Sequence, residues 1–431
     1  MKNKRINLLI LLSLVTLVAG GFLIGSASPA SALSSPTVVQ PKNNYALPPD
    51  TQLVITGLVK NDSSVFFVID GKFAGGVKAT NGKKGTASFA FKPKLKFAIG
   101  NHTIQVQARS GAETSAWTGK LTFIVPKTWP RRIDGVIVPY SQANIQPVGV
   151  MVENLASVRP QAGLASASLV YEALAEGGVP RFLMLSVLEN QAKIGPVRSA
   201  RPYYVDLAKE YNATILHAGG SRDAFNEFGK LKVRSIDALV NKTARYFFRA
   251  GKTATTHNLF TSGALIKKMK NDFKLTTAGA TFEMWKFKDD ALLKNRPKEK
   301  KKLIIDFKSG SQYIVAWQYD RASNSFLRYN GGKPHGDVNL SAKAVLSAKN
   351  VVVQLIEKEK VLDWQKHLAL QITGGGRGWL LQDGKLSQII WRKPLMSSRT
   401  RYYYTNGQEV QFVRGTTWVE IVPKDRPILW K

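Results

Sequence analysis

Glu172 and Glu176 stand four apart in the run LVYEALAE, whose alternation predicts a strand carrying both carboxylates on one face. Two carboxylates on one face suit acid–base work or retention of a cation. The competing account is that they balance Arg181, Arg198 and Arg201, which follow shortly after. The segment IGPVRSAR, ending at Arg201, leads into a helix predicted over 199–211 with Ser199 as its N-cap. Free amides at a helix start, beside two guanidiniums, make an anion-binding element; an internal ion pair with the glutamates is the alternative. His217, Ser221 and Asp223 in HAGGSRD follow a short apolar strand, and ligands commonly sit at strand carboxyl ends in α/β layers. They are the residue types of a hydrolytic triad, yet they lie within one short loop and no G-x-S-x-G elbow accompanies them. A helix cap at Ser221 or Asp223 is the simpler expectation.

His257-Asn258 in TTHNLF, and His335 with Asp337 in KPHGD, are the remaining polar clusters. His335 and Asp337 suit a shared metal, a proton relay or, two apart in a Gly/Pro loop, a turn bond. No H-E-x-x-H or comparable spacing is present, so no metal is assigned, and no motif calls for a cofactor. GGGRG at 374–378 lacks the Lys-Ser/Thr of a phosphate loop and is read as a close backbone approach. Trp391, Trp418 and Tyr402 to Tyr404 suit sheet packing better than stacking on sugars.

These residues need elements to hold them. Residues 49–126 show strand-like runs (TQLVITGLV, SVFFVID, GTASFAF, HTIQVQA, LTFIV) separated by Asp70-Gly71 and Asn81-Gly82 turns, which predicts a small all-β sandwich. Residues 34–48, rich in Ser, Pro, Gln and Asn, read as a linker. Residues 135–290 mix strand and helix periods, a mixed α/β layer structure. After a Lys-rich stretch, residues 303–431 are strand-rich, with Asp383-Gly384 and Asn406-Gly407 as hairpin signals. The expected fold is therefore multidomain: a β-sandwich, then a mixed α/β part, then a β-rich part.

At the start, Lys2, Lys4 and Arg5 precede an apolar run to Ile24 and small residues around Ala30-Ser31-Ala32. Residues 1–33 read either as a cleaved signal peptide or as an N-terminal membrane anchor, and both put the remainder outside the cytoplasm. The chain of 431 residues has no cysteine, which excludes disulfides, thiolate metal sites and a Cys-linked lipid. The ~400 residues that follow the apolar run are enough for two to three self-sufficient cores. With 62 Lys and Arg against 29 Asp and Glu, the net charge is +33. Such a field attracts an anionic envelope polymer or a membrane surface. Nucleic acid is not expected as the main ligand, because no zinc-finger spacing or basic reader helix stands out.

ITGLV, VFFVIDGK, FAIGNHTIQVQA and a closing FIV resemble bacterial immunoglobulin-like modules. ENLASVRPQAGLASASLVYEALAEGGVPRF, IGPVRSARPYYVDLA, LHAGGS and THNLFT, followed by RYNGGKPHGD, AKNVVVQ, ITGGGRGWLLQDGK and GTTWVEIVP, resemble the YerB-like family of exported bacterial proteins, a domain of unknown function in two parts. The resemblance implies a layered ββα fold, an extracytoplasmic location and often a lipoprotein anchor; this chain departs in having no Cys. An aspartate of the family before the VYE-type strand is Ser168 here. The resulting expectation is an envelope-associated binding or scaffold protein with an anionic ligand, possible cell-wall material, using Arg198, Arg201 and the glutamate pair. The alternative is a cell-wall hydrolase or transferase with Glu172 or Glu176 as base and His217 or His257 as proton carrier.

Overall fold

A computed structural model of the chain describes residues 33–251, 257–275 and 279–431. The export or anchor reading of residues 1–33 falls, but for Leu33, outside the described residues. Among these, no helix is long and apolar enough to cross a membrane. The chain forms two compact units, one comprising residues up to Ala46 plus Gln52–Val125, the other Leu47–Thr51 plus Pro126–Lys431.

The first unit contains a three-stranded sheet (Thr37–Gln40, Ile55–Lys60, Thr86–Phe91) and a second sheet built on Gly100–Ser110, Ser64–Ile69, Lys72–Lys78, Leu121–Val125 and Tyr45–Ala46. Strand alternation buries Val65, Phe67 and Ile69 from one sheet and Ala87, Phe89 and Phe91 from the other. Phe67 stacks on Phe91 at 4.2 Å between ring centroids, so the two sheets face each other. Residues 34–48 are therefore not a linker: Thr37–Gln40 and Tyr45–Ala46 pair into the two sheets. Asp70-Gly71 makes a two-residue hairpin with both φ positive, whereas Asn81-Gly82 opens a longer connection through a 3-10 turn at Lys83–Gly85. His102 is held by Asp70 at 2.7 Å and by the Ala98 carbonyl at 2.8 Å, a structural role.

In the second unit the strands of the two larger sheets, short outer ones aside, are in chain order β1 (Val148–Val152), β2 (Leu169–Leu174), β3 (Pro180–Ser186), β4 (Thr214–His217), β5 (Ser235–Asp237), β6 (Lys302–Ile305), β7 (Val315–Asp320), β8 (Ser325–Asn330), β9 (Asn350–Ile356), β10 (Gly374–Gln382), β11 (Lys385–Lys393), β12 (Arg401–Tyr404), β13 (Thr417–Pro423) and β14 (Ile428–Trp430). The longer helices are α1 (Pro202–Lys209), α2 (Arg222–Leu231) and α3 (Gly263–Asp272), beside a single turn at Asn241–Ala244. Ten strands form one sheet in the order β5-β4-β1-β3-β2-β13-β9-β10-β11-β12. The 135–290 and 303–431 segments are thus joined in one sheet, with the late strand β13 inserted between β2 and β9 and parallel to both. A smaller sheet, β8-β7-β6-β14 with short outer strands, lies apart from this path.

Because side chains alternate along a strand, each β-residue of the large sheet feeds one of two cores. Leu169, Tyr171 and Ala173 of β2 join Val419 and Ile421 of β13 beneath α1 and α2, whose Tyr203, Tyr204, Leu207 and Phe228 complete that core. Val170 and Leu174 join Trp418 and Val353 on the other face, covered by α3 and by Leu303, Trp317 and Phe326 of the small sheet. Burying each such large side chain stabilises by roughly 1.5–3 kcal/mol, so both faces of the sheet are well supported. Trp391, Trp418 and Tyr402 are at most 2% exposed and belong to these cores. The glycines of GGGRG permit the close approach that their run predicts: a Cβ at Gly378 would lie 2.4 Å from the Val353 carbonyl oxygen, inside β10.

Candidate functional site

The carboxyl ends of β1, β2 and β4 form a polar crest, and the segment 195–201 is laid across it. Arg198 N–H donates to the Met151 carbonyl at 3.0 Å, Ala218 N–H to the Arg198 carbonyl at 3.0 Å, and Ala200 N–H to the Gly219 carbonyl at 3.0 Å. Glu153, immediately after β1, lies at ion-pair distance from Arg198 Nε, 3.2 Å, and meets His257 Nδ1 at 2.8 Å. Arg198 and His257 keep 28% and 25% of their side chains exposed, against 7% for Glu153. Asn258 accepts from Arg249 Nη1 at 2.8 Å alongside. Glu176 receives Arg181 Nη2 at 2.9 Å and Arg201 Nε at 2.8 Å. Burial works against the Glu176 charge, but the Arg181 and Arg201 guanidiniums outweigh it and hold this carboxyl down to about 2. Glu176 is thus shared by two guanidiniums, and Glu153 by a guanidinium and an imidazole.

The expected Glu172/Glu176 pair does not exist as one face of a strand. β2 ends at Leu174, and Glu176 opens a 3-10 turn through Gly177 (φ +68°) and Gly178 (φ +75°). Glu172 stays in the strand and is fully buried. Ser199 does not cap α1 either. Its hydroxyl donates to the Ala218 carbonyl at 2.9 Å, and α1 begins at Pro202, whose fixed φ and missing N–H suit a first helical position.

Glu172 belongs to a buried network that the sequence reading did not assemble. The parallel register places Glu172 of β2 beside Glu420 of β13, on the face that receives the small sheet. Arg328 of β8 donates to Glu172 at 2.6 Å and to Glu420 at 2.8 Å, and all three side chains are wholly buried. Trp317 Nε1 donates to Glu420 at 2.8 Å, and Asn154 to Glu172 at 3.1 Å. The guanidinium also lies 4.6 Å from the Trp418 ring centroid and 5.2 Å from that of Trp317. Burial first, then the neighbouring Glu172 carboxylate, pushes the Glu420 carboxyl well above its usual range. Burial and the adjacent carboxylate thus favour the neutral form of Glu420.

His335 accepts from Arg328 Nε at 3.0 Å and meets Gln161 Oε1 at 2.6 Å; burial, with Arg328 and Arg159 nearby, pushes it well below the usual histidine range, so it is neutral. Asp337 accepts backbone N–H bonds from the distant Gly163 and Ala165 as well as from Asn339, two residues on. His217 contacts Ser235 Oγ at 2.6 Å and the Gly219 carbonyl at 2.8 Å, and its ring stacks on Phe228. Burial lowers its basicity as well. Ser221 Oγ accepts from Ala224 N–H at 3.3 Å and caps α2, so His217, Ser221 and Asp223 do not assemble as a triad. His217 holds its own partners, whereas His335 and His257 are linked through Gln161, whose amide nitrogen donates to the Glu153 carbonyl at 2.9 Å.

A second buried carboxylate, Glu210 at the end of α1, is held by Lys393 at 2.5 Å, by Arg399 at 2.9 Å, and by both the hydroxyl and the N–H of Thr400. One signal for the network of Glu172, Arg328 and Glu420 was available in the sequence: a lone charge inside an otherwise apolar strand, as in TWVEIVP, SFLRYN or LVYEAL, must find a counter-charge or a proton.

The fold and these networks define a two-segment protein: an α/β half and a β-rich half sharing one sheet and cross-linked by buried ions. Residues 135–276 match the N-terminal domain, and residues 303–419 the C-terminal domain, of the family described as "Protein of unknown function (DUF3048)", and the chain belongs to that family. It is similar to YerB of Bacillus subtilis (strain 168), a protein named as a lipoprotein, with 28% identity over 279 residues, 64% of this chain and 81% of that one. The crystal structure of YerB from Bacillus subtilis superposes with a TM-score of 0.60 at 25% identity, covering 69% of this chain and 98% of that chain.

Proposed function

We propose that the chain is an extracytoplasmic, envelope-associated binding or scaffold protein that holds an anionic envelope polymer on the basic crest. The observation that carries this reading is the sharing of charge there: Glu153 serves Arg198 and His257, and Glu176 serves Arg181 and Arg201. The surplus is positive, it stands at strand carboxyl ends, and Arg198 and His257 are partly open to solvent. The net charge of +33 draws polyanions toward it. The resemblance to a protein named as a lipoprotein supports an envelope location.

The enzymatic alternative has less support. Glu172 is sealed in an ion network and His217 is engaged at both ring nitrogens. The Glu153–His257 contact is the feature that favours it, since it joins a carboxylate to a partly open imidazole.

The test is co-sedimentation of the full chain with a purified phosphate-bearing wall polymer. Arg198→Ala with His257→Ala is expected to weaken binding about tenfold or more, on the order of 1.4 kcal/mol, with the melting temperature little changed. Unaltered binding by that double variant would sink the crest as the site. Turnover of wall material that disappears in His257→Asn would favour the enzyme instead.

A further inference from the structure

A separate cleft of about 440 Å³, lined by Arg159, Gln312, Asn330, Lys333 and Pro334 among others, opens beside the buried ion network. Its walls come largely from the RYNGGKPHGD motif, which the crest leaves unexplained. Asn330 is the last residue of β8, two positions after Arg328 and on the same face of that strand. It is only 5% exposed, yet neither its amide nitrogen nor its amide oxygen has a hydrogen-bond partner. A buried polar group left unmade costs about 1–3 kcal/mol, so two such atoms on one side chain call for a cause. The turn beyond it is built closely: Gly331 and Gly332 both have positive φ, and a Cβ at Gly331 would lie 2.9 Å from Gln312 Cα. No larger residue fits there without displacing the cleft wall.

Arg159 lies on the same cleft. It donates Nε to Asn154 at 3.0 Å and Nη1 to the Gln312 carbonyl at 2.6 Å, and it rests over the Tyr313 ring. Among the described residues no carboxylate lies within ion-pair distance of it. The cleft is thus bordered by a guanidinium with no carboxylate at ion-pair distance among the described residues and by a buried amide whose donor and acceptor are both unmade and must turn toward the cleft to meet a ligand. An extended peptide presents the N–H and C=O of one residue on the same side, which matches both atoms of such an amide. A guanidinium prefers a carboxylate. The volume falls within the range of small-ligand sites.

We propose that this cleft binds a short extended peptide with a free terminal carboxylate, Asn330 pairing with one residue's N–H and C=O and Arg159 with the carboxylate. The test is calorimetric titration of the full chain with N-acetyl dipeptide acids of both L and D configuration, and with the corresponding C-terminal amides. At least one acid is expected to bind, and its amide to bind about tenfold or more weakly, through loss of a charge-assisted bond. Asn330→Leu should lose about tenfold in affinity for the same acid while keeping or raising the melting temperature. Because the amide comparison is made on the unaltered chain, a folding defect in a variant cannot rescue or spoil the result. Absence of binding by every acid at millimolar concentration would overturn the proposal and leave ordered water as the partner of Asn330. Equal affinity for acid and amide, or unchanged affinity in Asn330→Leu, would overturn it as well.

Discussion

Glu172 and Glu420 are neighbours of the same chemical type in the same buried place, which favours a proton on Glu420. Removing Arg328 leaves the remaining negative charge uncompensated in a dry environment, so Arg328→Met should cost about 3–5 kcal/mol in urea denaturation. Glu420→Gln should cost about 1 kcal/mol or less, because an amide keeps both a donor toward Glu172 and an acceptor for Trp317 and Arg328. Similar losses for the two variants would refute the protonated assignment. Asp206 of α1 gives a separate pH signature. Burial first, then Glu227, raises its carboxyl from 3.8 to about 7. The folded state therefore binds this proton more tightly than the unfolded state does. The associated stability is full below pH 3.8 and declines as pH rises to about 7. Asp206→Asn should flatten that decline, so its melting temperature should exceed that of the unaltered chain more at pH 8 than at pH 4. An equal difference at both pH values would show that the group does not titrate there. At this scale the sequence offered local roles but not distant ones: the cap at Ser221 follows from its place before a helix, whereas the partners of Glu172 lay on strands distant in sequence.

Among the elements, β13 decides most. It pairs with β2 through Leu169↔Thr417 to Ala173↔Ile421, and with β9 through Asn350↔Thr417 to Ile356↔Pro423. Its odd-numbered residues Val419 and Ile421 enter one core, while Trp418 and Val422 enter the other. A chain ending after Arg414 loses the strand that joins the two halves, leaves Arg328 with one fewer partner, and exposes two sheet edges. It is expected to lose near-UV circular dichroism from the aromatic core and to unfold without a cooperative transition. Retention of a sharp transition would mean that the α/β half is stable alone. The run TTWVEIVP was legible as a strand from its apolar and β-branched residues. Its neighbours were not legible, since parallel pairing leaves no local turn signal and the hydrophobic pattern of a doubly buried strand suits many partners.

For the whole molecule, the charge of +33 and the two buried ion networks have different consequences. Most of the charge is solvent-facing and acts at a distance, so polymer binding at the crest should weaken steeply from low to high salt as the field is screened within about 10 Å at 0.1 M. The buried networks lie beyond that screening, and stability should respond far less. Binding insensitive to salt would argue that the crest works by shape and not by charge.

The sequence by itself determined most of the longer strands of both units, the β-rich character, the absence of thiol chemistry and the excess of positive charge, because periodicity, turn residues and composition are local or additive properties. Tertiary structure decided which charges meet. It separated Glu172 from Glu176, gave Glu172 to Arg328 and Glu420, placed Arg198 and His257 on the unconsidered Glu153, and left Asn330 unpaired beside a cleft. The physical reason is that the partner of a buried charge is set by strand order and register, and these depend on which distant strands exclude water together, not on spacing along the chain.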